Sequence, residues 1–77
     1  MMTKGFINKV GDKLYFHPEY RSEEIEIKDG DSIEFERGPD DWNPGLLVWN
    51  GSYWECHEGD GYSKFGPVTS LNVRMDI

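Results

Sequence analysis

Seventy-seven residues, 36% hydrophobic and 30% charged, suffice for one small domain (1–77) and exclude two cores or a catalytic domain with its own lid. A single cysteine, Cys56, excludes an intramolecular disulfide, and no window approaches the roughly 18 apolar residues of a membrane span. The net charge of −7 argues at first against nucleic acid, yet residues 1–18 carry +2, residues 19–41 carry −7 and residues 42–77 carry −2. A mildly basic, aromatic N-terminal piece is therefore joined to a strongly acidic one, and the two suggest different partners. Met1–Gly5 does not lead into a signal-peptide apolar stretch, so a cytoplasmic setting, in a cell or an infected cell, is expected.

No segment repeats apolar residues at helical spacing, whereas short alternating runs between Gly, Asp and Asn recur throughout, which predicts an all-β chain. The first hairpin is expected to run Gly5–Val10, turn at Gly11-Asp12 and return through Lys13–His17 until Pro18, which cannot donate to a sheet ladder. Leu14 and Phe16 then share one face and Tyr15 and His17 the other. A second hairpin is read at Glu24–Lys28 and Ser32–Arg37 around Asp29-Gly30-Asp31, with Ile25, Ile27, Ile33 and Phe35 inward and Glu24, Glu26, Glu34 and Glu36 toward water. Residues 38–45 are loop by composition. A third hairpin joins Leu46–Trp49 to Tyr53–His57 across Asn50-Gly51, a type I′ turn signal. After a Gly-rich loop over 58–67, Val68–Met75 alternates as a last strand. Six or seven strands in so short a chain imply a small barrel or a tightly rolled sheet, because closure removes exposed edges. The expected core is Ile7, Leu14, Phe16, Ile25, Ile27, Ile33, Phe35, Leu47, Leu71 and Val73.

Three pieces of the chain, in order, resemble the cold-shock domain, a five-stranded oligonucleotide-binding barrel. Gly5-Phe6-Ile7 resembles the end of that family's first ribonucleoprotein motif, and Leu14-Tyr15-Phe16-His17 resembles the second. Ile27–Glu36 resembles the strand the family writes Leu-x-Glu-Gly-Gln-x-Val-x-Phe-Glu. The resemblance covers roughly residues 4–49 and implies an OB-fold, cold-shock-like barrel of five to seven strands with an extra C-terminal hairpin or strand. The chain departs from the pattern in three ways. Lys4 stands where the first aromatic of the first motif belongs, and Pro18 where the last of the second belongs. The family's first strand, with its stacking Trp, is missing. Gly45–Asn50 has the sound of that strand and is the candidate to replace it, which would make a rearranged barrel.

The resemblance implies a non-enzymatic module that stacks bases of single-stranded RNA or DNA on Phe6, Tyr15 and His17. Stacking suits single strands because each base offers a π-face whatever its identity, at about 1–3 kcal/mol per base. Lys4, Lys9 and Lys13 are the expected phosphate contacts, and Trp42 or Trp49 a fourth surface. The alternative is that Phe6 and Tyr15 belong to a second small core under residues 51–77.

The acidic stretch supports a reading of another class. Glu24, Glu26, Glu34 and Glu36 on one face of a two-stranded ribbon would imitate phosphate charge and fit a basic surface of a host protein, as in small acidic phage-encoded inhibitors. The plainer alternative is a solvated acidic face. Cys56, His57, His17, Glu58 and Asp60 are metal-competent types, but one cysteine without paired spacing is no zinc site. Cys56 reads as a small buried hydrophobe, and Asp29-Gly30-Asp31 as a turn rather than a calcium loop. No phosphate-binding loop, cofactor motif, small-molecule substrate site or catalytic constellation is expected.

Overall fold

The computed structural model describes residues 1–77 as eight strands: β1 (Met2–Val10), β2 (Lys13–Pro18), β3 (Ile25–Glu26), β4 (Asp31–Gly38), β5 (Asp41–Trp49), β6 (Trp54–Glu58), β7 (Lys64–Phe65) and β8 (Ser70–Asp76). They form one sheet in the order β3-β2-β1-β8-β4-β5-β6-β7, antiparallel at every pairing. No helix is long and apolar enough to cross a membrane. The sheet is open rather than a closed barrel, and its edges β3 and β7 are only two residues each, which leaves little free ladder for another chain.

The sheet rolls around a single cluster of twelve buried residues. Ile7, Leu14 and Phe16 enter it from β1 and β2, Ile33, Phe35 and Leu47 from β4 and β5, Trp54 and Cys56 from β6, and Val73 and Met75 from β8. Each large apolar side chain removed from water there contributes about 1.5–3 kcal/mol, which offsets the ordering of the short strands. Hydrogen bonds outside the strand ladders hold the roll. Ile27 N donates to Leu14 O at 2.9 Å and Gly30 N to Leu47 O at 2.7 Å, so the segment between β3 and β4 passes from β2 to β5. Val68 N donates to Trp54 O at 2.8 Å and Lys9 N to Thr69 O at 2.9 Å, so the segment before β8 links β6 to β1. The Trp54 indole N–H donates to the Asp12 carbonyl at 2.8 Å, tying β6 to the β1–β2 turn.

The first hairpin forms as expected, with Val10 opposite Lys13 and Gly11-Asp12 as the turn; β2 continues one residue further, to Pro18 opposite Gly5. The third also forms, with Trp49 opposite Trp54 and Asn50 N donating to Tyr53 O at 3.1 Å, so the turn centres on Gly51-Ser52, one residue beyond the expected Asn50-Gly51. The Asn50 side chain drives this, its Oδ1 accepting from Ser52 N at 2.9 Å and Tyr53 N at 2.8 Å.

Besides the barrel's closure and its five to seven strands, three expectations about strand placement are corrected. The second hairpin does not exist: Asp29-Gly30 does turn, but β3 pairs with β2 while β4 pairs with β5 and β8. Alternation specifies which side chains face the core, not which strand lies alongside, and a rolled sheet satisfies the same inward Ile and Phe set through other neighbours. Residues 38–45 are not a loop, since β5 begins at Asp41 after a tight turn at Pro39-Asp40. Pro44 is tolerated inside β5 because it lacks only a donor; its carbonyl still accepts from Gly59 N at 3.0 Å. Finally, the place beside β1 is taken by β8 and not by residues 45–50, which lie in β5 between β4 and β6.

Candidate nucleic-acid interface

Strand alternation that buries Ile7, Phe16, Phe35 and Val73 turns their neighbours outward, and the register assembles those neighbours into rows. Phe6 lies opposite His17 on one side and Asn72 on the other, and Glu36 lies opposite Trp42. Because Phe35 pairs with Val73, Glu36 falls beside Asn72, and one row reads His17, Phe6, Asn72, Glu36, Trp42 across five strands. The next row places Lys4 opposite Arg74 and Arg74 opposite Glu34.

Phe6 is 47% exposed, so one side of its ring is open to a ligand. Its ring stacks on His17 with centroids 4.7 Å apart and planes within 10°. The imidazole is held in that plane because its Nε2 donates to Asn8 Oδ1 and lies 3.5 Å from Glu24 Oε2. Toward β5, the Trp42 ring has the Arg74 guanidinium 4.7 Å and the Lys4 ammonium 5.8 Å from its centroid. Arg74 is also ion-paired to Glu34, whereas Lys4 has no carboxylate partner. Between the aromatic groups lies a concavity of about 230 Å³ lined by Lys4, Phe6, Glu19, Glu36, Trp42 and Asn72, with the Gly5 backbone. Pockets for whole small molecules run to roughly 300–1,000 Å³, so this one suits a single flat ring.

The structure thus brings together Lys4, Phe6, His17 and Trp42, and Tyr15 shares their face, opposite Asn8 and Glu26. Lys13 belongs to the same face but lies 3.9 Å from Glu26 Oε2, which partly neutralises it. Lys9 has the strand parity of Ile7 and emerges at the end of β1, away from the row. Trp49 faces inward, packed on the core with its ring 5.7 Å from that of Trp54. It is therefore no part of this surface. Residues 51–77 do not cover Phe6; only β8 comes beside it, at the level of the sheet.

The four glutamates are not on one ribbon, because β3 and β4 are separated by β2, β1 and β8. Each has its own partner: Glu24 with His17, Glu26 with Lys13 and with Lys28 at 3.5 Å, Glu34 with Arg74, and Glu36 through Oε2 with the Asp40 N–H at 3.1 Å. Arg74, Asn72 and Glu19 are the members of the site that sequence reasoning missed. The alternation of Val68–Met75 does put Asn72 and Arg74 on a polar face, but no local signal places that face next to Phe6.

Elsewhere, Cys56 and His57 point to opposite sides of β6. Cys56 is wholly buried, and burial foremost, with the Glu58 charge, pushes its thiol up to about 11. His57 Nε2 lies 3.1 Å from Glu55 Oε1, and Lys64 Nζ lies 3.8 Å from Glu55 Oε2. The His57 hydrogen bond, ahead of the Lys64 charge, holds the Glu55 carboxyl below its ordinary 4.5 despite burial. No three His, Cys, Asp or Glu side chains are gathered so as to hold a metal ion.

Among known proteins, no family model matches the chain, and neither a curated protein nor a solved structure shows significant similarity to it.

Proposed function

We propose that the protein is a non-enzymatic module that binds single-stranded RNA or DNA, in the cytoplasm, across the outward row on β2, β1, β8, β4 and β5. The reading is carried by one observation: a half-exposed, stacked Phe6–His17 pair shares a face with Trp42, itself overlaid by two cations. A base extends the Phe6–His17 stack or lies on the Arg74 guanidinium plane, and Lys4, free of any carboxylate, meets a phosphate. The N-terminal hairpin plays the part that its cold-shock resemblance implies. Beside it β8 offers Asn72 and Arg74.

The acidic rim keeps the electrostatic share of binding small, so affinity rests on stacking and falls only gently with salt. The competing reading, capture of a basic host protein by Glu24, Glu26, Glu34 and Glu36, is the less supported because the four do not share one ribbon and Glu24, Glu26 and Glu34 each lie against a basic side chain of the chain itself. Titration of the protein with uridine and thymidine nonamers, followed by tryptophan fluorescence, tests the proposal. Saturable quenching at micromolar to submillimolar oligonucleotide is expected. An unchanged spectrum at millimolar oligonucleotide transfers the preference to protein capture.

A further inference from the structure

The concavity between Phe6 and Trp42 has a polar floor whose donors and acceptors are unequal. Two carboxylates line it, Glu19 and Glu36. Glu19 forms no side-chain hydrogen bond or ion pair within the chain, and its position is set by its backbone N–H, which donates to Lys4 O at 2.9 Å. Glu36 engages only Oε2, with the Asp40 N–H. Acceptor oxygens are thus left free toward the cavity, while the Lys4 ammonium and the Asn72 amide, neither bonded to another side chain, supply donors at the same opening. A carboxylate accepts two parallel N–H bonds, and an ammonium only donates.

Among the nucleobases this arrangement discriminates. Guanine alone presents two adjacent donors on its Watson–Crick edge, N1–H and the N2 amino group, beside an acceptor, O6. Uracil and thymine offer one N–H flanked by two carbonyl oxygens, which a carboxylate repels. Adenine and cytosine offer one amino group next to a ring acceptor. We propose that this concavity is a guanine-selective subsite: the base lies between Phe6 and Trp42, a carboxylate of Glu36 or Glu19 accepts from N1–H and N2–H, and Lys4 or Asn72 donates to O6. The inference rests on the single-strand reading and adds base identity to it. It also gives the acidic rim a purpose that non-specific phosphate binding does not.

The test compares a uridine nonamer with the same nonamer carrying one central guanosine, and with inosine at that position. A single guanine avoids strand self-association, and inosine keeps N1–H and O6 while lacking the N2 amino group. A two-bond carboxylate contact is worth enough for about tenfold tighter binding of the guanosine nonamer over uridine, with most of that gain lost for inosine. In Glu36→Gln or Glu19→Gln the ratio of the guanosine and uridine affinities falls toward one, since an amide cannot accept both bonds. Dichroism of each variant confirms that it is folded. Equal affinity for all three nonamers overturns the guanine subsite and leaves the single-strand reading standing, as does a guanosine preference that survives both substitutions with respect to these residues. Failure of every nonamer to bind overturns both.

Discussion

Glu34 is the residue at which the nucleic-acid and protein-capture readings make opposite demands. Its carboxylate is ion-paired to Arg74, with the two side chains 33% and 31% exposed. At that exposure, solvent screening limits the pair to about 0.2–1 kcal/mol. Glu34→Gln therefore lowers stability by no more than about 1 kcal/mol, a fall in melting temperature of at most roughly 4–8 °C for a chain of this size. The same change releases the Arg74 guanidinium, which stays over the Trp42 ring and becomes free to take a phosphate. One added phosphate contact on a single strand steepens the slope of log K against log salt by about 0.7. The advantage of the variant over the parent then grows about fivefold between 1 M and 0.1 M salt. The assay is fluorescence titration of parent and variant with a uridine nonamer at several salt concentrations. A phosphate-mimicking face predicts weaker capture of a basic partner and no gain for the oligonucleotide. An unchanged or shallower salt slope in the variant refutes the reasoning that Arg74, once released from Glu34, lies within reach of the bound strand.

Other outcomes follow from the same geometry. Phe6→Ala removes one stacking surface and weakens oligonucleotide binding by about 1–3 kcal/mol, while costing little stability because the ring is half in water; calorimetry and thermal melting separate the two effects. The Glu55 carboxyl, lowered chiefly by its hydrogen bond from His57, contributes stability that is present above its unfolded value of 4.5 and is lost as pH falls through the lower folded value. Urea midpoints should therefore drop as pH falls below about 4.5, and Glu55→Gln should flatten part of that drop. The remainder includes Asp60, whose carboxyl is lowered by the Ser63 and Tyr62 backbone N–H groups. With its thiol buried and pushed up to about 11, Cys56 should resist alkylation at pH 8 in the folded protein and react fully in denaturant; rapid reaction of the folded chain would contradict the packing of β6.

How much of this was legible depended on the range of the interaction. Period-two alternation identified the inward face of nearly every strand: eight of the ten expected core residues are buried, and Ile25 and Leu71 pack at the margin. Turn chemistry located Gly11-Asp12, and at the third hairpin the Asn50 side chain, by taking the Ser52 and Tyr53 N–H groups, moves the turn one residue along. Strand partners beyond the first and third hairpins were not legible, because alternation is silent about neighbours. The Glu24–Lys28 and Ser32–Arg37 runs look like a hairpin, yet Ile27 bonds back to Leu14 and Gly30 reaches Leu47. The same gap hid part of the site. Lys4, Phe6 and His17 are close in sequence and were expected together, with Trp42 offered beside them, whereas Asn72 and Arg74 join them only through the β1–β8 and β8–β4 pairings. Trp49, offered as the alternative to Trp42, has the opposite parity along β5 and packs on the core.

The central claim, that the outward row across β2, β1, β8, β4 and β5 is the binding surface, is tested most directly by amide and indole NMR spectra recorded during titration with a single-stranded nonamer. Saturable shifts are expected at Lys4, Phe6, His17, Asn72 and Arg74 and at the Trp42 indole N–H. The indole signals of Trp49 and Trp54, which face the core, should stay in place. Shifts confined to other surfaces, or none at millimolar oligonucleotide, would contradict it.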